Sequence, residues 1–488
     1  MVLVRKIAYN VILNSSLKVL STVALSLFSI RLITDYLGQE GFGKYATILA
    51  FFAFFTAVAD LGLGSVTARE ISRENAKESQ ILGNIIALRL VSSIGLLLLS
   101  PIALFFFDYS TDVKIGIGIA ALATVFSTLS FVLNGIFQKN LAMDRVAMIE
   151  FFGKILQVGL IIGIVHWDFG FLAIACTLIA SLSFNALTAF ILSRRYATFR
   201  LQFDFHFWKN FLKESLPMGV TAIITFAYFK MDTILLSVLQ SNAHVGIYNV
   251  AYKIMENLIF FPAMLSGLIL PLLSRFIFTQ RTRFEEIANK TFKVFCIIVT
   301  PIIIGTWFLA PDIIAIVSGT KFSESVPVLR ILIFALGFIF FGSYFNMLLV
   351  VGNAQKKLMQ TLIFAALFNI GLNIFLIPRY SYIGSAFTSL ATESLVVILT
   401  SMLTYRVMGF TPSFERFGRI LFSGSAMALA LFVLEPYSFL LSGLVGTAVY
   451  LSMLWLTRAI SPDEIASLFQ KDESMPLSEV ERIETLVP

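Results

Sequence analysis

The residues in this chain with chemical potential are charges set in apolar surroundings. Lys18, Arg89, Lys154, Lys230 and Lys253 lie deep inside long apolar runs, and Arg31 and Arg330 lie nearer the ends of theirs. Asp232, Glu256 and Glu393 are acids in the same situation, with Asp60 and Glu150 toward run ends. If the runs cross lipid, each charge at mid-depth costs about 2.5–3.5 kcal/mol. Such residues must line a hydrated cavity or pair with one another. Lys253 and Glu256 are three apart and share a helix face, which suits a pair. Lys230 and Asp232 are two apart and cannot face each other directly. The five deep bases still outnumber the three deep acids, which predicts a positively charged interior favouring an anionic group such as a phosphate. The candidate anion contacts are Lys18, Arg89, Lys154, Lys253, Arg31 and Lys230. Asp232, Glu256, Glu393 and Asp60 are candidates for ion coupling or charge pairing. An alternative stands beside each role: Lys18, Lys154 and Lys230 could snorkel to an interface, and Arg89 could cap backbone carbonyls. Asn134, Asn185, Asn346, Asn369 and Asn373 read as contacts between helices.

Nothing else points to catalysis. His166, His206 and His244 are scattered without metal-ligand spacing. Cys176 and Cys296 lie in apolar runs and suit core filling. No catalytic residue, metal or cofactor is expected. All loops are short, which argues against a membrane polymerase or glycosyltransferase, whose chemistry needs sizeable loops carrying acids or metal ligands.

The elements that must position these charges follow from composition. Hydrophobic residues make up 58% of the 488 and charged residues 13%. Mean hydropathy is +0.88. Soluble domains are roughly 45–50% apolar and about 25% charged, so lipid must be the solvent for much of this chain. A membrane-crossing helix needs about 20 apolar residues. Fourteen stretches qualify: 9–33, 42–66, 80–107, 114–138, 145–166, 169–193, 215–239, 245–274, 291–310, 326–351, 358–377, 381–407, 417–435 and 438–459. Positive residues gather in cytoplasmic loops. With the N-terminus inside, the inner segments collect Arg5 and Lys6, Arg69 to Lys77, Lys139 and Arg145, the bases of 194–213 and of 275–293, and those beyond. The outer loops hold Lys44, Lys114, Lys321 and Arg379. The fold class is therefore all-α, polytopic, with about fourteen transmembrane helices and both termini cytoplasmic. The formal charge of +7 reflects this topology and anionic lipid rather than nucleic acid. Arg5 and Lys6 precede a long apolar stretch without a cleavage signature, so the first helix is expected to be retained. After 460 the chain is polar and acidic, with a helix start at Ser461-Pro462-Asp463-Glu464.

The halves echo each other. Gly43-Lys44-Tyr45 and Gly246-Ile247-Tyr248 each open a stretch, 203 residues apart. Ala175–Ala180 resembles Ala386–Ala391. A real repeat relates stretches 1–6 to 7–12 in the same orientation, the arrangement of transporters with a cavity between parallel halves. The units are then 1–200, 201–410, 411–460 and an acidic tail, 461–488. Pro217, Pro262, Pro271 and Pro301 interrupt stretches and provide kinks.

Several segments together resemble the polysaccharide and lipid-linked oligosaccharide flippases of the MOP superfamily, relatives of the MATE exporters. They are Leu37-Gly38-Gln39-Glu40-Gly41-Phe42-Gly43-Lys44-Tyr45, Asp60-Leu61-Gly62-Leu63 with Arg69–Arg73, Gly246–Lys253 with Pro271–Arg275, and Pro378–Ala386 with Glu393. Ser381 departs from the pattern, where many relatives have Gly. The resemblance implies two six-helix bundles plus two C-terminal helices, a V-shaped cationic cavity and alternating access. It implies transfer of an isoprenyl-(pyro)phosphate-linked oligosaccharide across the cytoplasmic membrane for surface polysaccharide or glycan synthesis. Membrane lipids, and a polymerase or glycosyltransferases, are the implied partners. A MATE-like ion-coupled antiporter for small cations is the alternative; it calls for an acid-rich cavity.

Overall fold

The computed structural model describes residues 2–73, 77–105, 107–434 and 438–459, with side chains from residue 23 onward except at 65, 68 and 103. The tail expected at 461–488 and the side chains of Arg5, Lys6 and Lys18 lie outside the described residues. Every element among the described residues is helical. This follows from the solvent: in hydrocarbon each backbone N–H and C=O must be satisfied within its own segment. The elements are α1 (Val2–Asp60), α2 (Leu63–Ile71), α3 (Glu78–Phe105), α4 (Thr111–Lys139), α5 (Met143–Trp167), α6 (Phe171–Ser193), α7 (Phe205–Leu239), α8 (Asn242–Leu258), α9 (Phe260–Phe276), α10 (Arg281–Ser318), α11 (Ser325–Val351), α12 (Gln355–Met408), α13 (Phe417–Val433) and α14 (Phe439–Leu456). A single 3₁₀ turn, Thr320–Phe322, precedes α11.

Eleven helices among the described residues are long and apolar enough to cross a membrane, and α13 is a shorter apolar helix. The protein is thus a multi-pass membrane protein. The fourteen stretches do not appear as fourteen separate helices. Stretches 1 and 2 run together in α1, interrupted at Gly38 (φ 65°, ψ −169°). Stretches 11 and 12 run together in α12, interrupted at Ser381 (φ 49°, ψ −133°). Side chains resist such positive φ, so glycine is the natural residue at both breaks. Pro262 does not kink a helix interior: it sits in the first turn of α9, just after the α8–α9 break at Ile259. Pro217, Pro271 and Pro301 do lie within helices.

α1 is the central element. It packs on α3, α4, α5 and α6, and also on α7, α8 and α10. α11 packs on α8, α10 and α12, and α13 and α14 join α10. Two crossings bring backbones into contact. At one, a Cβ on Gly43 of α1 would sit 2.6 Å from the Asn242 carbonyl carbon and 2.9 Å from the Gly246 nitrogen. These are the two glycines of the sequence echo. Polar bonds reinforce that end: Arg31 donates to the Ala315 carbonyl at 2.5 Å and Gln39 to the Lys321 carbonyl at 2.6 Å. At the other crossing, a Cβ on Gly219 of α7 would lie 2.6 Å from the Leu61 carbonyl carbon. There Arg69 of α2 pairs with Glu214 of α7.

Candidate functional site

Between the two crossings lies a cavity of about 590 Å³. On α1 its lining runs from Phe52 to Asp60, between Gly43 and Gly62; on α7 it runs from Ala222 to Lys230, beyond Gly219. Arg89, Thr128, Phe131, Tyr252 and Glu256 contribute from α3, α4 and α8. A neighbouring cavity of about 270 Å³ shares Phe52, Lys230 and Glu256 and adds Lys253, Thr233 and Asn249. Most of the wall is aromatic or aliphatic, and the charges are few and placed.

Glu256 is the centre of the charged set. One carboxylate oxygen accepts from Lys230 at 2.5 Å and the other from Lys253 at 2.7 Å. Lys230 also sits 4.8 Å over the Tyr252 ring, a favourable cation–π position. With one carboxylate between two ammonium groups, the trio keeps one positive charge. Lys154, half-buried on α5, donates to the Gln157 amide at 3.0 Å. Lys154 lines neither of these two cavities.

The remaining expected contacts fall elsewhere. Arg89 is 1% exposed. It pairs with Asp60, donates to the Thr128 carbonyl at 3.2 Å and lies against Phe131. It is therefore a paired element of the cavity wall, and its carbonyl contact is the capping role considered from sequence. Arg31 is not brought to the cavity; it pairs with Asp35 at 2.7 Å at the Gly43 end. Lys18 lies outside the described side chains. Asp232 is buried and held by neutral donors: Asn373 at 2.6 Å, Ser389 at 2.6 Å and Tyr248 at 2.9 Å. Asn369 joins this set through Asn373 at 3.0 Å. Glu393 is also buried. Asp232 and Glu393 line a separate void of about 20 Å³, which shares Phe229 and Tyr252 with the main cavity.

Sequence reasoning passed over Tyr252, Gln157 and the cavity phenylalanines. Among 50 Phe residues nothing in sequence separates those facing a cavity from those facing lipid. Gln157 did carry a signal, standing one helical turn from Lys154.

The sequence model of the polysaccharide biosynthesis protein family matches residues 3–277, more than half of the chain. The chain belongs to that family. The probable flippase AglR of Haloferax volcanii is 26% identical over 235 residues, 46% of this chain and 49% of AglR. This chain thus matches about half the length of that relative. The probable low-salt glycan biosynthesis flippase Agl15 of the same organism is 21% identical over 426 residues, 84% of this chain and 86% of Agl15. Among solved structures, the lipid II flippase MurJ in an inward closed conformation shares the fold, with a TM-score of 0.75 at 19% identity over 90% of this chain and 98% of that one. An inward-facing multidrug resistance MATE transporter of the MOP superfamily gives 0.61 at 16% identity, over 80% and 96%. The family and its fold are those expected from the motifs around Gly43 and Gly246.

Proposed function

We propose that the protein is a flippase that moves an isoprenyl-(pyro)phosphate-linked oligosaccharide from the cytoplasmic to the outer leaflet of the cytoplasmic membrane, for surface polysaccharide or glycan synthesis. The observation that carries this reading is a largely apolar cavity beside the charged trio Lys230–Glu256–Lys253, which retains net positive charge. That combination suits a cargo with a phosphorylated joint, a sugar and a long apolar tail: the lysines hold the phosphate and the tail stays in lipid. The family and the flippase relatives support it.

In this reading the chain crosses the membrane fourteen times, with α1 and α12 each counting twice. Both termini are cytoplasmic, 1–200 and 201–410 act as two bundles, and 411–460 adds two crossings. The Gly43–Gly246 crossing then closes the outer end and the Gly62–Gly219 crossing the inner end. Transport alternates which crossing parts. Asp232 and Glu393 are the candidate coupling groups, and a polymerase or glycosyltransferases supply and consume the cargo. A MATE-like exporter of cationic drugs shares the fold, but the lysine excess would repel such cargo.

The test is transport of a fluorescent lipid-linked oligosaccharide in inverted membranes. Lys253→Ala and Lys230→Ala are each expected to lower the rate at least tenfold. Undiminished transport by both variants would remove the charged-chamber reading.

A further inference from the structure

A second chamber, of about 120 Å³, lies between α7, α11 and α12. Thr225 and Phe229 of α7 line both it and the main cavity, so two side chains, not backbone, stand between them. Its polar lining is Thr225, Tyr228, Ser343, Asn346 and Glu393. Glu393 is the one acid there, and no base lines the chamber. The sequence suggests a helix contact for Asn346. Instead its Oδ1 is buried without a hydrogen-bond partner. Buried amide oxygens are rarely left so, because the desolvation they suffer goes unrepaid.

The main cavity cannot supply what a sugar needs. Its charged side chains are engaged with one another, Asp60 with Arg89 and Lys230 with Glu256, and most of its wall is apolar. A sugar leaving water must recover hydrogen bonds or its transfer is costly. The side chamber offers acceptors, the Glu393 carboxylate and the Asn346 amide, which suit O–H and N–H donors and disfavour a phosphate. Its volume equals about four waters at about 30 Å³ each. That admits one edge of a sugar ring with its substituents, not an oligosaccharide. Tyr228 and Lys230 are two residues apart on α7, about 3 Å along the axis. A phosphate held at Lys230 therefore brings the sugar directly attached to it to this chamber.

We propose that the chamber lined by Ser343, Asn346 and Glu393 is a subsite for the hydroxyl and amide groups of the phosphate-proximal sugar. This rests on the flippase reading above. One well-made hydrogen bond to such a group is worth on the order of tenfold in affinity.

The test measures binding to the full chain in nanodiscs of three lipids: undecaprenol, undecaprenyl diphosphate, and undecaprenyl diphosphate bearing N-acetylglucosamine. For the wild type the sugar is expected to add about tenfold to the affinity of the bare diphosphate. Asn346→Leu fills the chamber and removes an unpaired polar group, so the fold should tolerate it. Asn346→Ala removes the amide and leaves more room. Both should cut the sugar's increment below threefold while changing binding of the bare diphosphate less than twofold. Retention of the increment by either variant, or equal weakening of both diphosphate lipids, would overturn the proposal. So would a wild type that binds the two diphosphate lipids alike. If undecaprenyl diphosphate binds no better than undecaprenol, the flippase reading itself fails, whatever the variants do.

Discussion

Alanine at Gly43 is the sharpest perturbation the fold offers. A methyl carbon needs about 3.5 Å from a non-bonded neighbour. At Gly43 it would meet the Asn242 carbonyl carbon at 2.6 Å and the Gly246 nitrogen at 2.9 Å. These are backbone atoms of another helix and cannot rotate away, and the Asn242 carbonyl oxygen lies closer still, so the crossing must open by about 1.5 Å. Overpacking of this kind costs about 1–3 kcal/mol. Replacing glycine within a helix returns about 0.5–1 kcal/mol. That helical gain is the same with the crossing open or closed, so the closed crossing should lose about 1–3 kcal/mol relative to the open one, shifting its population by about 5- to 150-fold. The assay places a single cysteine at Thr225, on the cavity wall, with Cys176→Ser and Cys296→Ala removing the native thiols. An impermeant maleimide is applied to intact cells. Gly43→Ala is expected to raise outside labelling several-fold. Gly219→Ala, which loosens the other crossing, should instead raise labelling of inverted vesicles, whose exposed face is the cytoplasmic one. Gly43→Ala/Gly246→Ala should add little beyond either single change, because one contact serves both. If Gly43→Ala leaves labelling unchanged and behaves as an ordinary stabilising helix substitution, the crossing does not seal the cavity. Labelling that rises from the inside would invert the proposed topology.

Three other outcomes follow from particular contacts. Ser381→Gly should stabilise the fold by about 1 kcal/mol by relieving a positive φ, read as a thermal midpoint higher by a degree or two in detergent; an unchanged midpoint would mean the break carries no strain. Asp60→Ala leaves Arg89 buried and unpaired and should cost about 3–5 kcal/mol, seen as loss of monodisperse protein, with Asp60→Ala/Arg89→Leu recovering much of it; a stable Asp60→Ala would refute the structural role of the pair. Glu256→Gln unmasks Lys230 and Lys253, so affinity for undecaprenyl phosphate in nanodiscs should rise several-fold and weaken more steeply with added salt. A loss of affinity would mean that Glu256 serves the cargo rather than restraining the lysines.

How much of this was legible depends on sequence distance. α3 to α6 lie close to their expected stretches, because a run of apolar residues bounded by polar ones fixes a helix in lipid without help from tertiary contacts. Lys253 with Glu256 was legible for a related reason: three residues apart on one helix, they meet whatever the rest of the chain does. Arg31 with Asp35 obeys the same local spacing, and reading it would have kept Arg31 off the list of anion contacts. Lys230 is 26 residues from the same Glu256, and Asn373 is 141 from Asp232; only the packing of α7 on α8 and α12 joins them. An excess of buried bases needs a chamber regardless of which partners they find, and the lysines that remain unbalanced identify themselves only once the acids have been assigned. The Gly43 and Gly246 echo carries the same lesson from the other side. Each glycine looks like a turn residue in its own segment, and the reason neither tolerates a side chain is the other one, 203 residues away.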